Sequence, residues 1–203
     1  MKNSISAIIL AAGQSERMNQ PKPFLLFDEK RNFLDKINGT YISADIQQII
    51  LVVNPAIESD VKRFMENKYP DQPVNIVVNL YPEKGRFYSI RLGLEKTDSS
   101  FCYIQNIDNP FVTTELLIEM GKRVKQGTYV APVYKKKKGH PVLISGELID
   151  HCRMLKGDDY NLRKELNKFE EIKLDWTDKN ILANINTDEE YQKYFPSCEV
   201  FMK

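Results

Sequence analysis

The chain has 203 residues, 42% of them hydrophobic, which allows one domain with a sizeable core over residues 1–203. Its 29 basic and 28 acidic side chains leave a formal net charge of +1, so no global field draws it to nucleic acid or to an anionic lipid surface. Cys102, Cys152 and Cys198 are odd in number, widely spaced and form no CxxC, which argues against a zinc knuckle or a disulfide framework and fits reduced thiols in a cytoplasmic protein. No apolar run is long enough to span a bilayer, and Ile5 to Ala12 leads into Gln14-Ser15-Glu16-Arg17 rather than a cleavage site.

The apolar run Ala7-Ile8-Ile9-Leu10 has the character of a buried strand and empties into the small-residue turn Ala11-Ala12-Gly13. Phe33 to Ala44 has helical spacing. Ile49 to Val53 is a continuous apolar run closed by Asn54-Pro55, as in a buried parallel strand. The reading then alternates: helix 57–69, strand 74–78, loop 79–85, helix 87–96, strand 101–104, helix 113–125 capped by Thr113 or Thr114, and strand 128–134. Such alternation predicts an α/β fold of three layers, a mostly parallel sheet with helices on both faces. Ligands of such sheets bind beyond the carboxyl ends of the strands, which directs attention to the loops after Leu10 and after Ile104. Beyond residue 134 the pattern is less regular. Lys135 to Lys138 reads as a solvated hairpin tip rather than a nucleic-acid patch, one that an anionic small substrate could also pass, Gly139 to Ile144 turns into a short strand, and 147–155 and 160–168 read as helices. Short strands are expected at 171–174 and 181–183, and Thr187 with Glu190 marks the capped start of a final helix.

Several residues could carry chemistry. The turn Ala11-Ala12-Gly13, followed by Arg17 and by Lys22 between two prolines, offers backbone amides and cations suited to a polyphosphate. It matches neither GxxxxGK[ST] nor GxGxxG, and it also suits a plain turn with solvated cations. Asp108 follows a buried strand and is placed either to hold Mg²⁺ or to cap a turn. Asn186 could complete a hard-cation site or cap the following helix. Gly85 to Arg91 enters a helix through glycine, where free amides can receive an anion or a base edge, as well as simply start a helix. His140 and His151 lack a partner pattern, no serine sits in GxSxG, and the cysteines lack a nucleophile context. Cations, amides and metal-ligand oxygens without acid–base machinery suit phosphoryl or nucleotidyl transfer.

LAAGQSERM, Leu10 to Met18, with Pro21-Lys22, resembles the LAAGxSxRMGxPK signature of the MobA-like nucleotidyltransferases. Four further segments agree in order: GRFYSIRLG from Gly85, Asp108-Asn109-Pro110-Phe111, GHPVLI from Gly139, and NINTDEEY from Asn184. The resemblance implies a Rossmann-like nucleotide-diphospho-sugar transferase fold and an enzyme that joins an NMP from an NTP to a phosphorylated small-molecule acceptor such as molybdopterin. It further implies CTP as the nucleotide, because GHPVLI is similar to the cytidylyl branch. Leu10, Ala11, Ala12, Gly13, Gly85 and Ser89 would then meet the nucleotide, Arg17 and Lys22 the triphosphate, and Asp108 with Asn186 the Mg²⁺ ion. Lys22, Arg17 and Asp108 would carry the catalysis. Departures are Asn19 for the usual glycine, Ile107 before Asp108, Tyr160 within Gly157 to Arg163, and Asn-Ile-Asn for Asp-Ile-Asp. The altered 157–163 segment leaves room for a catalytically weak nucleotide-binding relative with a regulatory or carrier role.

Overall fold

The structure is a computed structural model that describes residues 4–14, 17–46, 48–72, 74–157 and 159–196. Ser15, Glu16, Asp158 and Cys198, named above, lie outside the described residues.

Four strands form the parallel half of the sheet: β1 (Ile5–Ala11), β2 (Gln48–Val53), β3 (Val74–Val78) and β4 (Phe101–Asn106). Their spatial order is β3-β2-β1-β4, and every pair is parallel, with Ala7 between Ile49 and Tyr103. These are the near-continuous apolar runs, because both faces of a parallel sheet are covered. Beyond β4 lie β7 (Val142–Ser145), then β5 (Thr128–Tyr134), then the two-residue β6 (Lys137–Lys138); β8 (Glu170–Asp175) pairs parallel with β5. β7 runs antiparallel to both β4 and β5, so β5 and β8 keep the direction of the first four strands.

Alternation along β1 divides the core between two faces. Ala7, Ile9 and Ala11 pack with α1 (Phe33–Ser43), α2 (Glu58–Lys68), α4 (Thr114–Arg123) and α7 (Asp188–Tyr194). Ile8, Leu10 and Ala12 pack with α3 (Gly85–Leu94), α5 (Gly146–Met154) and α6 (Leu162–Leu166). Helices thus cover both faces, as the alternation predicts. Gly93 on α3 lies tight against β1: a Cβ there would come within 2.7 Å of the Ile8 side chain. That glycine brings α3, and the pocket residues at its start, directly onto β1.

Two elements differ from the sequence reading. Residues 181–183 are not a strand but belong to a 3-10 turn at Lys179–Leu182. Asn109 contributes to it: its Nδ2 donates to the carbonyls of Asn180, Ile181 and Ala183, while Asn180 O also accepts from Ala183 N within the turn and Ile181 O from His140 N, so these oxygens form no regular strand ladder. The helix expected over 160–168 shrinks to Leu162–Leu166, because Asn161 caps it by accepting from Arg163 N, and Tyr160 packs its ring 5.9 Å from Phe87. The helix after Thr187 forms with its cap, Thr187 Oγ1 accepting from Glu190 N at 3.2 Å. The reciprocal bond goes one residue further back, Glu190 Oε2 accepting from Asn186 N at 2.7 Å. The lysine hairpin tip is present, with Lys135 and Lys136 at the turn and β6 returning against β5.

Candidate active site

A cavity of about 290 Å³ opens at the carboxyl ends of β1 and β4. Leu10, Ala11, Ala12 and Gly13 come to it from β1 and its loop, Lys22 from the Pro-Lys-Pro segment, Gly85 and Ser89 from the start of α3, Asp108 from the loop after β4, and Asn186 from the chain before α7. Five segments remote in sequence therefore meet at one point, the place where such sheets bind ligands. Arg17 is the exception among the candidates. It is exposed and does not line the cavity, although its charge reaches Lys22.

Each wall has a visible reason for its shape. Asn54, buried at the end of β2, donates through Nδ2 to Gly13 O at 3.1 Å and to Ala12 O at 3.4 Å. The carbonyls of the small-residue turn are thereby engaged, and Gly13 has no atom within 4 Å of where a Cβ would stand. Gly85 has φ of +83°, which places the start of α3 in a backbone conformation that suits glycine. Ser89 is buried, and its Oγ accepts from Asn79 Nδ2 at 2.9 Å, which leaves the hydroxyl proton free to donate. Asn79 in turn accepts from Tyr81 N at 2.8 Å, so one buried amide orders both the loop and the serine.

The polar centre is a cation between two oxygens. Lys22 Nζ donates to Asn186 Oδ1 at 2.6 Å, and the Asp108 carboxylate lies near enough to act on it electrostatically. Burial pushes the Lys22 pKa down and the Asp108 pKa up, and each charge partly offsets the shift of the other. Asp108 Oδ1 is buried with no hydrogen-bond partner among the described residues. An orphaned carboxylate oxygen of this kind suits a hard cation, and Asn186 Oδ1 keeps a second lone pair while it accepts from Lys22. The loop carrying Asp108 is held firmly: Asp108 O accepts from Ile185 N at 2.9 Å, which sets the distance between the two candidate ligand segments.

Further residues complete the site, of which Arg86 carried no signal in the sequence reading. Arg86 lines this cavity and also a second, larger one, of about 660 Å³, on the α6 side. Burial of its head group lowers the Arg86 pKa, while Asp108 opposes the shift. His140, in the turn before β7, pairs its Nε2 with Asn106 Nδ2 at 3.2 Å. Its pKa is pushed down to about 4 by burial and by Arg86, so the ring is neutral near neutral pH. It therefore holds a structural bond and lacks the proton a general acid needs. Asn19, where the signature has glycine, donates to Asp188 Oδ2 at 2.7 Å and ties the first loop to α7. The alternation of elements pointed to Asp108 and Lys22; Asn54, Asn79 and Arg86 carried no local signal beyond polarity.

A family model described as the MobA-like NTP transferase domain matches residues 7–172. A protein of Clostridium perfringens named "Probable molybdenum cofactor guanylyltransferase" is 24% identical over 206 residues, covering 96% of this chain and 98% of its own. The 2-C-methyl-D-erythritol 4-phosphate cytidylyltransferase of Fusobacterium nucleatum is 28% identical over 122 residues, covering 59% of this chain and 52% of its own. Crystal structures of Rv0371c from Mycobacterium tuberculosis superpose with a TM-score of 0.79 at 21% identity, and of its complex with manganese with 0.77 at 20%. Each covers 96% of this chain and 99% of its own.

Proposed function

The chain belongs to the MobA-like NTP transferase family, and from that premise we propose that it transfers an NMP from an NTP to a phosphorylated small-molecule acceptor in the cavity between β1 and α3. The observation that carries this reading is the meeting of Lys22, Asp108 and Asn186 beside the Ala11–Gly13 turn.

In the reaction, an oxygen of the acceptor's phosphate attacks the α-phosphorus of the NTP and forms a new P–O bond. The bond from that phosphorus to the oxygen bridging the β-phosphate breaks, and its electron pair leaves with pyrophosphate. The acceptor phosphate is largely ionised near neutral pH, since its second pKa is about 6, so no base has to remove a proton. That agrees with a site whose histidine is neutral and hydrogen-bonded. The turn around Gly13 allows close approach of the nucleotide to backbone, and Ser89 Oγ offers a donor beside it. Lys22 sets its ammonium where triphosphate charge would lie, and Asn186 and Asp108 hold it there. Asp108 and Asn186 are the residues that would hold Mg²⁺, which when bound neutralises charge on the phosphates. Arg17, exposed outside the cavity, would reach the triphosphate only at its outer end.

For the nucleotide, the name of the full-length Clostridium relative supports GTP, and the Asn-Ile-Asn close agrees with it. GHPVLI supports CTP, the nucleotide implied by the sequence resemblance. We assign GTP ahead of CTP, and a molybdenum-cofactor precursor as acceptor, on that relative. The test is a thermal-shift series with GTP, CTP, UTP and ATP and Mg²⁺, followed by pyrophosphate release with a panel of phosphorylated acceptors. The largest shift is expected with GTP; a larger one with CTP reverses the assignment. Nucleotide binding without pyrophosphate release for any acceptor would favour a carrier or regulatory role.

A further inference from the structure

The larger cavity, of about 660 Å³, is joined to the smaller one through Arg86. Its floor is apolar: Phe87 and Tyr160 with their rings 5.9 Å apart, together with Ile90, Ala131, Val142 and Leu166. Its rim is of one sign. Arg86, Lys136, Lys137, Lys138 and Arg163 line it, and no carboxylate does among the described residues, although the chain as a whole carries 28 acidic side chains against 29 basic. An even mixture of charge has thus been sorted at this one concave surface.

The cations are not all equivalent. Lys138 is neutralised locally, 2.7 Å from Glu171 Oε1 and 3.2 Å from the Tyr129 hydroxyl. Lys135 lies outside the lining and rests over the Tyr134 ring at 5.4 Å. Lys136, Lys137 and Arg163 have no side-chain ion pair or hydrogen bond among the described residues, and all three line the cavity, the lysines from the hairpin tip and the arginine from α6. The tip itself works against local preference. Lys135 and Lys136 have φ of 46° and 67°, the left-handed conformation for which a tight hairpin ordinarily selects Asn and Gly. Stability alone would not place lysines there, and a backbone conformation of this kind at a cavity rim points to function. His140 adds a buried Nδ1 with no hydrogen-bond partner among the described residues, on a ring that lines the same cavity.

We propose that Lys136, Lys137 and Arg163 form a subsite for a second anionic group of the acceptor, so that the substrate is a molecule with an apolar or flat body carrying a phosphate at one end and a second phosphate, carboxylate or sulfonate at the other. Arg86, shared by the two cavities, receives the phosphate that attacks; this part alone rests on the transfer reading. The apolar body lies over Phe87 and Tyr160, and Tyr160 stands where the family signature has glycine, so the departure supplies the floor. A monoanionic acceptor would leave the three outer cations with nothing to neutralise them.

The test uses the full chain and calorimetric titration with alkanediol bisphosphates of increasing length, each against the alkyl monophosphate of equal length. The best bisphosphate is expected to bind at least about tenfold tighter than its monophosphate, the scale of one charge-assisted contact. Lys136→Asn, Lys137→Gln and Arg163→Gln should each shrink that ratio; Asn suits the left-handed position, so Lys136→Asn keeps the turn. Lys135→Asn removes the same charge from the same turn and should keep the ratio. GTP-induced thermal shifts should be unchanged in all four variants. Equal affinity of the two ligand types for the wild-type protein, or no measurable binding of either, overturns the subsite. So does a ratio that survives the three substitutions, or one that Lys135→Asn abolishes equally, since that would be a diffuse field. A ratio behaving as expected in a protein that shows no shift with any NTP would retain the subsite and remove the transfer reading.

Discussion

The two cavities on either side of Arg86 are built by opposite means. In the smaller one the protein itself holds most of the polar groups in place, leaving Asp108 Oδ1 open: Asn54 holds the Gly13 turn, Asn79 holds Ser89, and Asn186 holds Lys22. In the larger one the floor is apolar and the cations that line it are exposed, on a hairpin tip and a short helix. The first is preorganised, so its geometry is set by the fold before any ligand arrives. The second is adjustable, and its preference can change by substitution of exposed residues without disturbing the core. One fold can in this way keep a constant first substrate and vary the second.

The contrast can be broken most directly at Asp108. Asp108→Asn preserves shape and removes the carboxylate charge, and turnover should fall on the order of 10²-fold or more, the scale for loss of one electrostatic stabiliser. Steady-state rates across a Mg²⁺ titration, with Asn186→Ala as the milder comparison, check this. Full activity of Asp108→Asn, or turnover in excess EDTA, would show that the small cavity is not the reacting one.

The seam between the cavities offers the next test. A Cβ at Gly139 would stand 2.5 Å from the Ile181 carbonyl oxygen, a backbone atom that cannot swing aside. Gly139→Ala should cost about 3 kcal/mol of stability, the upper end for overpacking. Gly13→Ala, with nothing within 4 Å, should cost little stability and act on nucleotide binding instead. Denaturant midpoints of the two variants should therefore separate widely; similar midpoints would mean that the seam yields.

His140 gives the same seam a pH dependence. Its folded pKa of about 4 lies below the usual histidine value, so the folded state binds fewer protons than the unfolded chain between roughly pH 6.5 and that value. The stability it permits is full above about pH 6.5 and is lost as pH falls, amounting to about 2 kcal/mol between about pH 7 and about pH 5. Urea unfolding at the two pH values, compared in wild type and His140→Gln, should show a smaller acid loss in the variant. An equal loss would assign the effect to other groups.

The smallest effect is expected at Asn54. Asn54→Ala frees the Gly13 and Ala12 carbonyls and should cost about 1 kcal/mol of stability, with KM for the NTP rising more than kcat falls. A change in kcat alone would mean that the turn is ordered by something else.

Sequence reasoning recovered the layered sheet because its strands are continuous apolar runs and its helices are periodic, both local signals. It singled out Lys22, Asp108 and Asn186 because each stands at the carboxyl end of a strand or in a signature, and all three line one cavity. It placed Arg17 with them because spacing along a loop says nothing about which way an exposed side chain turns. It failed at residues 181–183, where three carbonyls are claimed by Asn109 from another part of the chain. It passed over Arg86 because a cation one residue into a helix is ordinary until two cavities are seen to share it. The lysine run reads as a solvated tip that an anionic substrate could pass; that it lines a cavity together with Arg163 of α6 depends on a distant segment, which its own residues do not announce.

The antiparallel strand β7 also dictates an order of assembly. It occupies the position between β4 and β5, so β5, although made earlier, has no edge of the parallel half to join until residues 142–145 exist. β8 can then dock only on β5, and the 3-10 turn at Lys179–Leu182 only on the loop carrying Asn109. On a ribosome, β1 to β4 could pair while both cavities still lacked a wall. The floor at Ala131 waits for β7, and the smaller cavity lacks a wall until Asn186 has docked beside Lys22. Pairings of such long sequence separation are slow to form, so closing this cavity is expected among the late steps of folding.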